Sequence, residues 1–190
     1  MTLFARIVSN DTDFTGIKAV VTIPDKWTVP DYGDFINFYI GFADYEEAGI
    51  SYSYKYGSWH YFANPGLTTT PFSKQPNPGD AINLMLVNDG KGYISFWVNG
   101  YLKVDHYPVK LSNGNPLPDT TTVKMVCAAS DCPPDRDDVT HSQVNWSDVQ
   151  VLINGKWVNW DSNIKYTTKR DQSNRYTIQQ DLPLEVTLSK

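Results

Sequence analysis

Rings, amides and carboxylates gather on particular strand faces of this chain, where they could bind or cleave a ligand. Asn37 and Tyr39 alternate with Ile36, Phe38 and Ile40; Glu47 and Ser51 alternate with Ala48 and Ile50; Tyr93 and Trp97 alternate with Ile94, Phe96 and Val98. Successive residues of a strand point to opposite faces, so each polar or aromatic set lies opposite an aliphatic one. Aromatic faces stack on the C–H faces of sugars, and amide, hydroxyl and carboxylate groups bond sugar hydroxyls. Asn37, Tyr39, Glu47, Ser51, Tyr93 and Trp97 are therefore expected to form a carbohydrate-binding platform on a concave sheet, with Trp97, Tyr93 and Tyr39 stacking. Gly41 and Gly49 read as room for a ligand to approach the backbone; the plainer reading is that they let the sheet bend.

Hydrolysis of a glycosidic bond needs two flanking carboxyl groups. Glutamate is scarce: Glu46, Glu47 and Glu185 are the whole set. Glu47 is the candidate acid or base, with Asp44, Asp105 or Asp131 as a distant partner. A solvated strand end or a lysine partner is the preferred role for Glu47, so the expectation leans away from an enzyme. Were the chain one, it would be a glycoside hydrolase or polysaccharide lyase; a third reading is a protein-interaction or structural domain whose aromatic face meets protein and binds no glycan.

Asp131, Asp135, Asp137 and Asp138 crowd one segment and could hold calcium, which favours several oxygen ligands. A solvated loop partly neutralised by Arg136 is preferred, and no cofactor is expected. His60, His106 and His141 are far apart in sequence; His106 beside Asp105 could be a ligand pair or only a strand end before Pro108, and the strand end is preferred. Cys127 and Cys132 are the two cysteines; a disulfide and a pair of reduced thiols both stay open, and zinc is disfavoured for want of four ligands. The chain has no Gly-x-Ser-x-Gly elbow, no His-Glu-x-x-His and no phosphate-cradling glycine loop.

The formal charge of −5 argues against nucleic acid, which requires clustered Lys and Arg, and equally against an anionic membrane surface. No segment has the length of apolar residues a membrane span needs. Six tryptophans and 14% aromatic residues exceed what a small core requires, so some rings are expected on the surface. The expected partner is a carbohydrate or glycan-bearing surface outside the cell, with self-association possible. At 190 residues the chain is expected to form one domain, 1–190.

Positioning those groups requires strands. Strand patterns fall at 4–8, 16–23, 35–42, 48–56, 59–63, 81–88, 93–98, 101–106, 121–128 and 144–153, with no helical periodicity of comparable length. Asn99-Gly100 and Asn154-Gly155 mark two-residue hairpins, and Asn88-Asp89-Gly90-Lys91-Gly92 marks a longer one. Segments 64–79, 111–119, 130–140 and 161–175 read as irregular loops. Residues 182–188 read as an edge strand or a closing strand beside the N-terminus. So many short antiparallel strands bury their apolar faces economically as two packed sheets, giving an all-β jelly-roll sandwich.

The stretch from Gly79-Asp80 through Ala81-Ile82-Asn83-Leu84-Met85-Leu86-Val87, followed by Tyr93-Ile94-Ser95-Phe96-Trp97-Val98-Asn99-Gly100, resembles the concanavalin A-like lectin and glucanase jelly rolls. That group also contains carbohydrate-binding modules, polysaccharide lyases and the glutamic peptidases, so the fold does not select an activity. The Glu-x-Asp-x-Glu strand of the glucanases is missing. Glutamic peptidases use a glutamine and a glutamate on neighbouring strands of one face. This chain has Glu46-Glu47-Ala48-Gly49 where the glutamine would be sought and no glutamate between Val123 and Ala129, a departure that argues against peptidase activity.

Overall fold

In strand 35–42 the alternation closes as expected: Ile36, Phe38, Ile40 and Phe42 are each fully buried, while Phe35, Asn37 and Tyr39 stay partly open on the other face. The structure, a computed structural model, describes residues 2–42, 46–130 and 138–190. Those residues contain sixteen strands and no helix. In chain order they are β1 (Thr2–Ser9), β2 (Gly16–Thr22), β3 (Trp27–Thr28), β4 (Phe35–Phe42), β5 (Glu46–Ser53), β6 (Ser58–Asn64), β7 (Leu67–Pro71) and β8 (Ala81–Gly90). There follow β9 (Tyr93–Val98), β10 (Tyr101–Pro108), β11 (Val123–Ser130), β12 (Thr140–Ile153), β13 (Lys156–Asn159), β14 (Tyr166–Arg170), β15 (Tyr176–Gln180) and β16 (Glu185–Leu188).

Two sheets result. One has seven strands in the order β14-β1-β11-β4-β5-β6-β7; the other has nine, running β10-β9-β8-β2-β12-β16-β15 with β13 and β3 also paired to β12. All pairings are antiparallel, and the inward residues of both sheets form one core, Phe38, Met125 and Trp59 from the first meeting Leu84, Phe96 and Trp146 from the second. The all-β sandwich expectation holds.

The hairpin signals act through backbone conformation. Asn99 and Gly100 have φ of 50° and 78°, Asn154 and Gly155 of 49° and 75°, the left-handed values that a tight hairpin demands and that Asn and Gly tolerate. Several segments differ from expectation: β3 and β15 fall on no expected strand, and β12 begins at Thr140, inside the expected loop 130–140. Segment 64–79 contains β7, segment 161–175 contains β14, and β16 lies between β12 and β15 rather than beside the N-terminus. β7 and β14 are sheet-edge strands rich in Thr, Lys and Arg with little buried surface, so their pattern carries no hydrophobic alternation.

Gly41 and Gly49 also serve a different purpose from the one expected. A Cβ at residue 49 would overlap the Phe38 carbonyl oxygen and lie 2.5 Å from Tyr39 Cα. Strand contact, not ligand access, requires the glycine. Gly49→Ala is expected to cost about 1–3 kcal/mol through overpacking, read as a lower midpoint in urea unfolding; an unchanged midpoint would refute this.

Candidate functional site

The register lays the outer face of the seven-stranded sheet out in rows. Val8, Lys124, Gly41, Glu47 and Asn64 are consecutive partners across β1, β11, β4, β5 and β6. The next row is Arg6, Val126, Tyr39, Gly49 and Phe62, and the one after it Phe4, Ala128, Asn37, Ser51 and His60. Strands in a sheet lie ~4.8 Å apart, so Lys124 and Glu47, with β4 between them, are about two spacings apart at the backbone. Gly41 removes the side chain between them: a Cβ there would come 2.7 Å from Lys124 Cε. The lysine therefore lies over β4, and its Nζ reaches Glu47 Oε1 at 3.0 Å.

Burial makes this pair unequal. The Lys124 side chain is 3% exposed and that of Glu47 36%, so the ammonium is enclosed while the carboxylate faces outward. Tyr39 lies beside them, its ring 5.8 Å from Lys124 Nζ and edge-on to Phe62. Burial first, then the charge of Glu47 and a hydrogen bond to it, push the Tyr39 phenol far above its ordinary range, so it stays protonated. Glu46 points the opposite way, into the core, with both carboxyl oxygens lacking a hydrogen-bond partner. Burial, reinforced by the charge of Glu47 and opposed by Lys124, pushes its carboxyl up to about 9.

Glu47 opens onto a groove of about 610 Å³. Asn37 and Ser51 line it with the rings of Phe35, Phe62 and Tyr107, while Leu67 and Thr68 of β7 form a wall. Asn37 and Ser51 are direct partners across β4 and β5, placing an amide beside a hydroxyl.

The expected carbohydrate platform is not assembled. Asn37, Tyr39, Glu47 and Ser51 share the outer face of the seven-stranded sheet, but Tyr93 and Trp97 belong to β9 of the other sheet. Trp97 lines a separate recess of about 480 Å³ with Lys18, Met85 and Gln150, and Tyr93 stacks on His106 with ring centres 4.0 Å apart. The two outer faces of a sandwich point away from each other, so these rings cannot meet one ligand. Parity within each strand was correct; the assignment of strands to a common sheet was not.

A glycosidase pair is likewise missing among the described residues, since Glu46 is inside the core, Glu185 pairs with Asn145 on the other sheet, and Asp105 lies on β10 there. Asp44 and Asp131 fall outside the described residues. So do Asp135, Asp137 and Cys132. Asp138 is described, and no group of three or more His, Cys, Asp or Glu fit to hold a metal occurs among the described residues. Cys127 is a free thiol in the core; burial pushes it up to about 12 even though the Trp146 indole N–H donates to its sulfur. His141 is buried against Phe38, and His106 faces Asp89 rather than Asp105.

Lys124 is the site residue that sequence reasoning missed. Its signal was a single cation in an otherwise apolar strand, buried on both faces in the structure.

Solved glutamic peptidases share this fold. Scytalido-glutamic peptidase bound to a peptide-based transition-state analogue superimposes with a TM-score of 0.68 at 13% identity, over 99% of this chain and 98% of that one. SCP-B, a member of the eqolisin family of peptidases in complex with the tripeptide Ala-Ile-His, gives 0.68 at 13% identity over 100% and 98%. No family model matches the chain, and neither does any curated protein. At this identity the likeness is one of fold. The lectin reading and its glycoside hydrolase or lyase alternative are corrected on this point: the solved structures named above are peptidases, bound to a peptide-based analogue and to a tripeptide.

Proposed function

We propose that this chain acts on polypeptides, taking a segment in extended form into the groove over the seven-stranded sheet and hydrolysing it with Glu47 as general base. The observation that carries this reading is the Glu47–Lys124 pair, a half-open carboxylate held in one orientation by an enclosed ammonium at the edge of the groove. The peptide ligands of the structurally similar peptidases support the choice of substrate class.

The division of labour departs from the family pattern implied by the resemblance, because the carboxylate is on β5 and a lysine occupies β11. Lys124 is a positioning residue that orients the Glu47 carboxylate. Glu47 takes a proton from water as the water oxygen bonds to the peptide carbonyl carbon and the C=O electron pair moves onto oxygen. When the tetrahedral adduct collapses, the C–N bond breaks and Glu47 returns the proton to the departing amine. Asn37 and Ser51 would bond the substrate backbone, and Phe35 and Phe62 would hold apolar side chains. An extracellular setting belongs to the same proposal and would be tested by finding the protein in culture medium rather than in the cell pellet of its source.

Incubation with an unfolded protein substrate between pH 3 and 8, followed by mass spectrometry, is expected to yield new peptide termini. Glu47→Gln, assayed where near-UV circular dichroism shows it folded, is expected to lose about 10²–10⁴-fold in rate. Cleavage that survives this substitution, or no cleavage by the unaltered chain at any pH, would eliminate the hydrolytic step. Peptide retention without new termini would leave groove binding alone standing.

A further inference from the structure

The two sheets end together on one side of the sandwich, β7 closing one and β10 the other. Between these edges lies a cleft of about 570 Å³, separate from the groove that carries Glu47. Its floor is apolar. Ile82 and Val98, 3% and 2% exposed, belong to the core, and above them Tyr61 and Phe72 meet edge to face with centres 5.4 Å apart. Its rim is cationic. Lys103 Nζ lies 4.8 Å from the centre of the Tyr61 ring and 5.7 Å from that of Tyr101, and Lys74 stands on the same rim.

Neither lysine has a carboxylate partner in an ion pair among the described residues. Asp80, the one acid on the rim, accepts a hydrogen bond from the Asn77 backbone N–H at 2.8 Å. A cation held over aromatic faces is partly desolvated, so a bound anion gains more there than it would in open water. The volume falls within the range of small-molecule sites, and the cleft joins an aromatic and aliphatic surface to a polar rim of Ser73, Lys74, Gln75, Asp80, Asn99 and Lys103.

We infer that this cleft binds a small aromatic carboxylate, its ring laid against the paired Tyr61 and Phe72 rings and its carboxylate on Lys103. This site is independent of the peptide reading and stands or falls separately from it.

Calorimetric titration of the folded chain with naphthoate, and with its uncharged carboxamide, tests the inference. Saturable binding of naphthoate is expected, about tenfold tighter than that of the amide, weakening as salt is raised. Lys103→Met, on the rim and so not expected to alter folding, should remove the preference for the acid, and Tyr61→Ala should weaken both ligands. No saturable binding, equal binding of acid and amide, or an unchanged preference in Lys103→Met would overturn the assignment.

Discussion

Glu47→Gln is expected to lower the folding free energy by about 3–5 kcal/mol, because it leaves an enclosed ammonium without its counter-charge. The Lys124 side chain is 3% exposed, so water cannot replace the lost carboxylate. Lys124→Met should cost much less, on the order of 1 kcal/mol, since Glu47 is 36% exposed and can turn to solvent. The double variant should be more stable than Glu47→Gln alone, a methionine stem filling the place of the lysine with no charge to desolvate. Urea unfolding of the four proteins gives the coupling directly. Strictly additive single-variant effects would mean that the two side chains do not depend on each other, and the orientation assigned to Glu47 would lose its support.

The second large effect is a dependence of stability on pH set by two buried groups of opposite kind. Glu46 is fully buried and its carboxyl is pushed up to about 9, chiefly by burial. Between about pH 4.5 and 9 the folded chain therefore holds a proton that the unfolded chain releases, and stability falls as pH rises through that window. His141, pulled down to about 4 by burial and only partly offset by its bond to the Ser142 carbonyl oxygen, works in the other direction. The unfolded chain binds its proton first, so stability falls as pH drops from about 6.5 to 4.

The two slopes oppose each other between about pH 4.5 and 6.5, and above that range only the loss due to Glu46 remains. Asp171 adds to the acid side. Burial would raise its carboxyl, but hydrogen bonds from Ser173 and the Phe4 N–H outweigh it and hold the group low, so its contribution is present near neutrality and is lost on acidification. The expected profile is broad in mild acid and declines toward alkaline pH. Glu46→Gln should be more stable than the parent by on the order of 3 kcal/mol at pH 7, with the gain shrinking to nothing below about pH 4.5. Melting temperatures across pH 3 to 9 check this. A constant difference between the two proteins at all pH values would show that Glu46 does not titrate between them.

Alternation is a local property, and it was legible wherever one face of a strand is buried. Ile36, Phe38, Ile40 and Phe42, then Ile94, Phe96 and Val98, all lie where their parity placed them. Asn-Gly turns were legible for the same reason, since the positive φ they supply is decided by the two residues themselves. Strands such as β14, with no buried stripe, were invisible because their partner β1 supplies the reason for their extended form.

The candidate site was half legible. Asn37, Tyr39, Glu47 and Ser51 could be placed on one face from alternation and the proximity of β4 and β5, whereas membership of Tyr93 and Trp97 in the other sheet depends on long-range pairing that parity does not encode. Lys124 stands 77 residues from Glu47 and meets it only because β11 pairs with β4 and Gly41 clears the way. Local residue patterns set which side of each strand is apolar and where the chain turns. Which strands share a sheet, and therefore which outward groups meet, is a long-range matter, because that choice is settled by packing and pairing free energies summed across the whole chain rather than by any residue and its neighbours.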